Sequence, residues 1–224
     1  MKLTQQTMNV LKSFSTINPS ILFREGVYLA TVSSSKTIMA RAKLDQAFDK
    51  SFAIYDLSRF LGALSLFKEP ELTFGKDQVK IASDKQKIHY TYADPETILS
   101  ASDKEPKVPS MDVRCSISYA VLKSTQNACS ILGVSEIAIV GDGEKIYIQA
   151  FSADDKETNK NVDLYSVEIG ETTKEFLVVF KVDYLKFLPL DYQVTVSSKG
   201  ISHWKGEYVD YWLAVEKKSD FTKL

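Results

Sequence analysis

The sequence lacks the features that mark several large classes of protein. Its 224 residues include only two cysteines, Cys115 and Cys129. Two cysteines are too few for a disulfide scaffold and fit a reduced cytoplasmic setting. No apolar run approaches the roughly 18 residues of a membrane-spanning helix, and no apolar core near the N-terminus predicts a signal peptide. We therefore expect no membrane association.

An excess of charge of one sign is also missing, because 28 basic residues are balanced by 29 acidic ones. Strong DNA-binding domains are usually clearly basic. If this chain contacts nucleic acid, its positive charges must be sorted onto one surface and offset elsewhere.

Motifs for catalysis and cofactor binding are absent from the sequence as well. His89 and His203 stand alone in strand patterns, without the neighbouring groups that a catalytic or metal site needs. The cysteines lack zinc-finger spacing, and there is no Walker loop or dinucleotide fingerprint. We expect no metal, no cofactor and no enzymatic activity, and we expect a binding or scaffolding role.

What the sequence does contain is an internal duplication. Five apolar residues of the first half recur in the second half, each 125 positions later. They are Phe52, Ile54, Tyr55, Leu57 and Phe60, which recur as Leu177, Val179, Phe180, Val182 and Leu185. Each block reads as an apolar strand that runs into a short amphipathic helix. A repeat of about domain length predicts a duplicated fold rather than a solenoid.

The duplication predicts two domains, residues 1–108 and 109–224. A connector at about 93–113 joins them, and its prolines make it unsuited to helix. Short alternating patterns on both sides predict half-buried strands. The expected fold class is α+β, with two helices packed on antiparallel sheets in each domain.

Four helices are predicted, two in each domain. Thr4 is a possible N-cap of the first, and Ser116 is a possible N-cap of the third. The fourth is expected to follow the strand Phe176–Val182 and to end near Leu188, before Pro189.

The outward faces of these helices are polar and carry scattered basic residues. We expect the DNA-facing residues to be Lys12, Arg59, Lys123 and Lys186. Isolated basic residues on one surface contact phosphates without reading bases, and few such contacts give weak, salt-sensitive binding. The alternative for each residue is an ordinary solvated helix surface.

Several segments resemble the sliding clamps of T4-type bacteriophages. Leu11–Asn18 is similar to the first helix of that family, and Ala53–Leu66 resembles its strand–helix block most closely. Ala93–Pro95 and Gly206–Glu216 are similar to the start of its connector and to its final strand. The similarity covers essentially the whole chain.

The resemblance implies a fold of the DNA-clamp (processivity) type and a homotrimer that forms a six-domain ring. Helices would line the hole, duplex DNA would pass through it, and the replicative DNA polymerase would be tethered by a docked peptide. The family also implies an ATP-dependent clamp loader, a link to phage late transcription, and the cytoplasm of an infected bacterial host.

Two further sets of residues follow from the resemblance. The groove for a partner peptide is expected near the connector and the second domain, at Ile98, Leu99, Pro189, Trp204 and Trp212. Core packing is the alternative for both tryptophans. The subunit interface is expected to pair the edge strand Ile88–Tyr92, through Ile88 and Tyr90, with the edge strand Val162–Ile169, through Val162 and Leu164.

Two other functions compete with the clamp. One is a structural assembly protein of a phage particle, built from duplicated β-rich domains. The other is a monomeric processivity protein that grips DNA directly, which would need a much more basic face. Polar, weakly basic helix faces favour the clamp over both.

Overall fold

A computed structural model describes residues 1–102, 104–152 and 165–223. The chain divides into two compact units, Met1–Glu105 and Pro106–Leu224, and the division falls within the predicted connector. Each unit combines α-helix with antiparallel β-sheet, which confirms the predicted α+β class.

The first unit begins with a helix and ends with a three-stranded sheet. Its elements are α1 (Gln5–Ser15), β1 (Ile21–Phe23), β2 (Gly26–Val32), β3 (Ile38–Phe48), β4 (Phe52–Ile54), α2 (Leu57–Ser65), β5 (Glu71–Phe74), β6 (Gln78–Ser83), β7 (Gln86–Thr91) and a 3-10 turn at Pro95–Thr97. Strand β1 pairs with β4, β2 pairs with β3, and β5, β6 and β7 pair in that order. Strand β7 is therefore the outer strand of its sheet.

Side-chain caps fix where the two helices of this unit begin. Thr4 accepts a hydrogen bond from the Thr7 amide, as predicted, and Asp56 accepts one from the Arg59 amide at 2.8 Å. Such caps satisfy amide groups that have no partner within the helix. The buried face of α1 consists of Thr7, Val10, Leu11 and Phe14, and that of α2 consists of Leu57, Phe60 and Leu64.

Aromatic side chains from different strands form a core cluster in the first unit. Phe23 on β1 stacks on Phe52 on β4, with ring centroids 4.4 Å apart. Phe48, Phe74 and Tyr92 contact the same ring of Phe52 at 6.0, 5.1 and 4.9 Å. Strands of three different pairings therefore share one apolar centre.

The described part of the second unit contains one α-helix and two larger groups of paired strands. Its elements are β8 (Val113–Ile117), α3 (Tyr119–Leu132), β9 (Glu136–Asp142), β10 (Lys145–Phe151), β11 (Ser166–Glu171), β12 (Glu175–Lys181), a 3-10 turn at Val182–Leu185, β13 (Tyr192–Ser197), β14 (Ile201–Lys205), β15 (Val209–Ala214) and β16 (Asp220–Lys223). One sheet has the order β11-β10-β9-β12-β16, and β15, β14, β13 and β8 pair in that order. Strand β11 is therefore an outer strand.

The prediction for the start of the third helix was wrong by two residues. The N-cap of α3 is Ser118, which accepts from the Val121 amide, and not Ser116. Ser116 lies in β8 instead, where it is opposite Gln193. The strand forms because Val113 and Ile117 are buried at its two ends, so the chain stays extended until Ser118.

The predicted fourth helix is also wrong, because Val182–Leu185 is a single 3-10 turn. At the repeat spacing of 125, Lys181 replaces the cap residue Asp56 and makes no side-chain capping bond. Pro189 replaces Leu64, and proline within an α-helix removes a hydrogen bond and clashes with the preceding turn. The copy in the second unit has therefore lost both its start signal and its last turn.

The C-terminal end of the connector is held by Asp112. Its carboxylate accepts hydrogen bonds from the Ser110 hydroxyl at 2.6 Å and from the Ser198 amide at 2.7 Å. These bonds, that of Ser110 first, lower the pKa of Asp112 from 3.8 to about 2. Lys174 Nζ donates to the Asp112 carbonyl at 3.1 Å. The connector is thus attached to the turn between β13 and β14.

Removing this carboxylate is expected to loosen the connector. In Asp112→Ala, tryptic cleavage after the exposed Lys107 should rise roughly five-fold, because a charge-assisted bond at an exposed site contributes about 1 kcal/mol. Since the folded-state pKa of Asp112 is lowered, its stabilisation of the connector should persist above about pH 3.8 and be lost as pH falls towards 2. Amide hydrogen exchange of the connector measures this pH dependence, because trypsin is inactive at such pH. Asp142→Ala removes a similar carboxylate from the turn between β9 and β10 and should leave cleavage unchanged.

Candidate nucleic-acid and subunit interfaces

The first unit exposes both of its predicted DNA-facing residues. Lys12 lies in the last turn of α1, and Arg59 lies in the first turn of α2. Both side chains are exposed, on the faces opposite the buried residues of their helices. Helices α1 and α2 contact each other, so the two basic residues belong to one layer of the unit.

In the second unit, Lys123 and Lys186 line the same open groove. The groove has a volume of about 330 Å³ and lies between α3 and the 3-10 turn that replaces the fourth helix. Gln126 ties its two walls together by donating to the Leu185 carbonyl at 2.8 Å. Lys186 Nζ lies 2.8 Å from Asp183 Oδ1. Two ammonium groups and the exposed Asn127 amide form a surface suited to a phosphate.

The predicted interface residues of the first unit lie on the free edge of a sheet. Ile88 and Tyr90 are half-buried on β7, on the face that packs against α2. The Tyr90 hydroxyl donates to the Asp56 carbonyl at 2.9 Å, and its ring contacts Phe60 edge-on at 5.2 Å. Burial raises the pKa of Tyr90. The strand is thus held firmly on one side and unpaired on the other.

The predicted partner edge in the second unit is described only in part. Val162 and Leu164 lie outside the described residues. Strand β11 begins at Ser166. Its Val167 and Ile169 are half-buried, and its Ser166 and Glu168 are exposed. Among the described strands, β11 pairs only with β10 and is the outer strand at one end of its sheet.

Open grooves lie beside both edges, which the sequence did not indicate. The groove beside β7 has a volume of about 330 Å³ and is lined in part by Arg59 and His89. The groove beside β11 has a volume of about 660 Å³ and is lined in part by Glu168, Asp191 and Glu207. Arg59 therefore lies near the edge of its unit as well as on a helix.

The residues proposed for a partner-peptide groove fall into two groups. Leu99 and Pro189 are exposed, and Ile98 is half-buried. Trp204 is fully buried, and Trp212 is only 4% exposed, so the alternative of core packing describes both. The tryptophans therefore do not form an open peptide surface in this chain, and Ile98, Leu99 and Pro189 remain as candidates.

His203 and both cysteines have the surroundings of packed residues and not those of a reactive site. His203 stacks on Trp212, with ring centroids 4.7 Å apart. Burial raises the pKa of Cys115 to about 12 and that of Cys129 to about 11, which disfavours the reactive thiolate. Among the described residues, no group of three or more His, Cys, Asp or Glu side chains is placed to hold a metal ion. The described helices include none long and apolar enough to cross a membrane.

Two family descriptions match consecutive parts of the chain. "DNA polymerase processivity factor" matches residues 2–100, and "gp45 sliding clamp, C terminal" matches residues 116–217. The chain is 30% identical to the sliding clamp of Enterobacteria phage T4 over 226 residues, with 98% of each chain covered. It is 28% identical to that of Vibrio phage KVP40, covering 96% of this chain and 99% of the relative.

Solved structures show the same fold at low sequence identity. Proliferating cellular nuclear antigen from Entamoeba histolytica has a TM-score of 0.68 and 17% identity, covering 94% of this chain and 95% of that chain. The A. fulgidus homologue, bound to the C-terminal region of FEN-1, has a TM-score of 0.69 and 16% identity, covering 95% and 96%. These findings do not support the alternative of a structural assembly protein. The chain belongs to the sliding-clamp family of DNA polymerase processivity factors, which are scaffolds and not enzymes.

Proposed function

We propose that three copies of this chain form a closed ring around duplex DNA and tether the replicative polymerase to it. The observation that carries the proposal is that, among the described strands of this clamp-family chain, β7 in one unit and β11 in the other are each paired on one side only. Pairing of unlike edges between copies is a heterologous contact, and such contacts close into rings when the rotation allows. Pairing also covers edges that would otherwise promote aggregation. Rings of this family have six domains, so two per chain require three chains.

The polar faces of α1, α2 and α3, together with the end of the 3-10 turn that replaces the fourth helix, then supply the contact with DNA. Lys12, Arg59, Lys123 and Lys186 are exposed and contact phosphates rather than bases. A few such contacts bind weakly and in a salt-dependent way, so the ring moves along the duplex. The topology of the closed ring, and not affinity, keeps it on the DNA.

The partners act on other parts of the ring. A polymerase peptide docks near Ile98, Leu99 and Pro189, and this tether raises the local concentration of polymerase at the primer end. The A. fulgidus clamp bound to a C-terminal region of FEN-1 supports peptide docking of this type. Opening and loading fall to an ATP-dependent clamp loader, late-transcription factors use the same ring, and the setting is the cytoplasm of the infected bacterial host.

The molar mass in solution tests this proposal. Size-exclusion chromatography with light scattering, over a dilution series, should give three times the 25.2 kDa chain, about 76 kDa. Dilution should shift the mass towards the monomer if the ring dissociates reversibly. A monomer at every concentration would contradict the ring and favour direct gripping of DNA.

A further inference from the structure

We infer that the two free edges carry opposite charges, which select head-to-tail pairing of β7 with β11 of a second copy and reject pairing of like edges. The inference rests on the proposed ring and adds the contacts that specify it. The residues involved are Lys80 and Lys87 on one edge and Glu168 and Glu171 on the other.

The edge at β7 is basic on its outer face. Successive residues of a strand point to opposite faces, so Lys87 and His89 lie opposite the face of Ile88 and Tyr90. Lys80 on the neighbouring strand is directly across from His89 and belongs to the same outer face. Lys80 and Lys87 are exposed, and neither forms an ion pair with any residue that the structure describes. The outer face of this sheet therefore has two exposed lysines and one carboxylate, that of Glu71 on the far strand, which leaves a net positive charge at the β7 edge.

The edge at β11 is acidic on its outer face because of a β-bulge. Glu168 is opposite Tyr147 and Glu171 is opposite Lys145, so Ile169 is left out of the pairing. The extra residue brings both carboxylates to one face, which strict alternation would not do. Lys145 Nζ lies 3.0 Å from Glu168 and 3.1 Å from Glu171. One ammonium group between two carboxylates leaves a net negative charge at this edge.

The two edges also match in their apolar residues. On β7 the apolar face packs against α2 through Tyr90. On β11, Val167 is directly across from the fully buried Ile148, so its apolar face is the core face of its sheet. Each strand has six residues. Pairing β7 with β11 therefore continues a sheet with apolar residues on one face and opposite charges on the other.

Pairing of like edges is penalised by the same charges. Two copies joined through β7 would place Lys87 near its own counterpart, and two copies joined through β11 would do the same with Glu168. Like charges across neighbouring strands are destabilising, whereas opposite charges stabilise the pair. A two-fold dimer needs like edges to meet, and a ring needs unlike edges. The charges thus act against the dimer as well as for the ring.

Charge reversal on each edge, alone and together, tests the inference. Glu168→Lys with Glu171→Lys, or Lys80→Glu with Lys87→Glu, should raise the concentration at which the trimer dissociates by roughly ten-fold or more. The chain with all four substitutions should return to within about two-fold of the wild type, since each interface regains opposite charges. Glu144→Lys and Lys76→Glu each reverse a single charge in a turn and should have no effect.

Light scattering on a dilution series measures the concentration at which each trimer dissociates. The series is run at low ionic strength, because salt screens exposed charges. A Glu168→Lys, Glu171→Lys chain that stays as trimeric as the wild type overturns the inference. The inference is also overturned if a double variant loses the trimer and the chain with all four substitutions does not regain it. In that case the loss comes from the contacts of Lys145 within one chain. Either outcome leaves a trimeric wild type and the proposed function intact. A monomeric wild type overturns both, and it is seen before any variant is made.

Discussion

Replacing Lys12, Arg59, Lys123 and Lys186 with glutamate is expected to reduce processive DNA synthesis by at least roughly 100-fold at physiological salt. Each phosphate contact contributes about 0.9 to the slope of log affinity against log salt concentration, and three chains lose up to four contacts each. All four side chains are exposed, so the fold should remain. The loss of the exposed Lys186–Asp183 ion pair should cost less than about 1 kcal/mol.

Primer extension on a circular template, with polymerase and clamp loader, measures this effect. A salt titration of the same reaction should show a shallower slope for the variant. The control carries Lys76→Glu, Lys104→Glu, Lys199→Glu and Lys217→Glu, four exposed lysines outside the helices. Because Arg59 also lines the groove beside β7, a triple variant without its substitution separates DNA contact from subunit contact. Unchanged extension by both variants would remove these residues from the DNA-facing role.

Trp204→Ala is expected to destabilise the second unit by roughly 3–5 kcal/mol, as truncation of a large buried side chain does. Trp204 is fully buried, and its indole N–H donates to the Ser202 hydroxyl at 3.1 Å. Its ring contacts Phe180, Phe187 and Tyr192 at centroid distances of 5.5, 5.3 and 6.4 Å. The substitution therefore opens a cavity and leaves the Ser202 hydroxyl without this partner.

Thermal unfolding should show the loss as a fall in midpoint of roughly 10 °C or more. Trp204→Phe keeps an aromatic ring in the core and should cost less. Leu99→Ala, at an exposed site, should change the unfolding free energy by less than about 0.5 kcal/mol. A Trp204→Ala protein that keeps wild-type stability but does not bind polymerase would contradict the core role and support a role in the partner-peptide groove.

The duplicated architecture was predictable from sequence because its signal is long and periodic. The blocks around Phe52 and Leu177 became β4 with α2 and β12 with its 3-10 turn, each in the expected order. The start of α1 was predicted correctly, since Thr4 accepts a hydrogen bond from the Thr7 amide. Long apolar patterns average over local exceptions, which is why they are reliable.

The apolar spacing before Pro189 predicts a fourth helix, but the cap chemistry of the same segment does not support one. Comparison of the two copies at the same spacing shows Lys181 in place of Asp56 and Pro189 in place of Leu64, so the signal was present in the sequence. Strand β16 is different, because Asp220–Lys223 is short and polar and forms by pairing with β12. No local pattern predicts such a strand.

The candidate sites were predictable to different degrees. Exposure of Lys12, Arg59 and Lys123 follows from the polar faces of their helices, whereas Lys186 is exposed beside a 3-10 turn. The grooves and the alignment of Glu168 with Glu171 do not, because they depend on a bulge and on contacts distant in sequence. The sequence does not decide whether Trp204 is buried, since a tryptophan in an alternating strand suits either a core or a groove.

Retention on circular DNA tests whether the ring holds DNA by topology. The clamp is loaded onto a nicked circular plasmid, and the complex is washed at high salt to remove clamp that is bound only by electrostatic contacts. The plasmid is then cut once. We predict that the clamp stays on the circle through the wash and leaves after the cut. Equal retention on circular and linear DNA, or loss from both in the wash, would contradict a closed ring around the duplex.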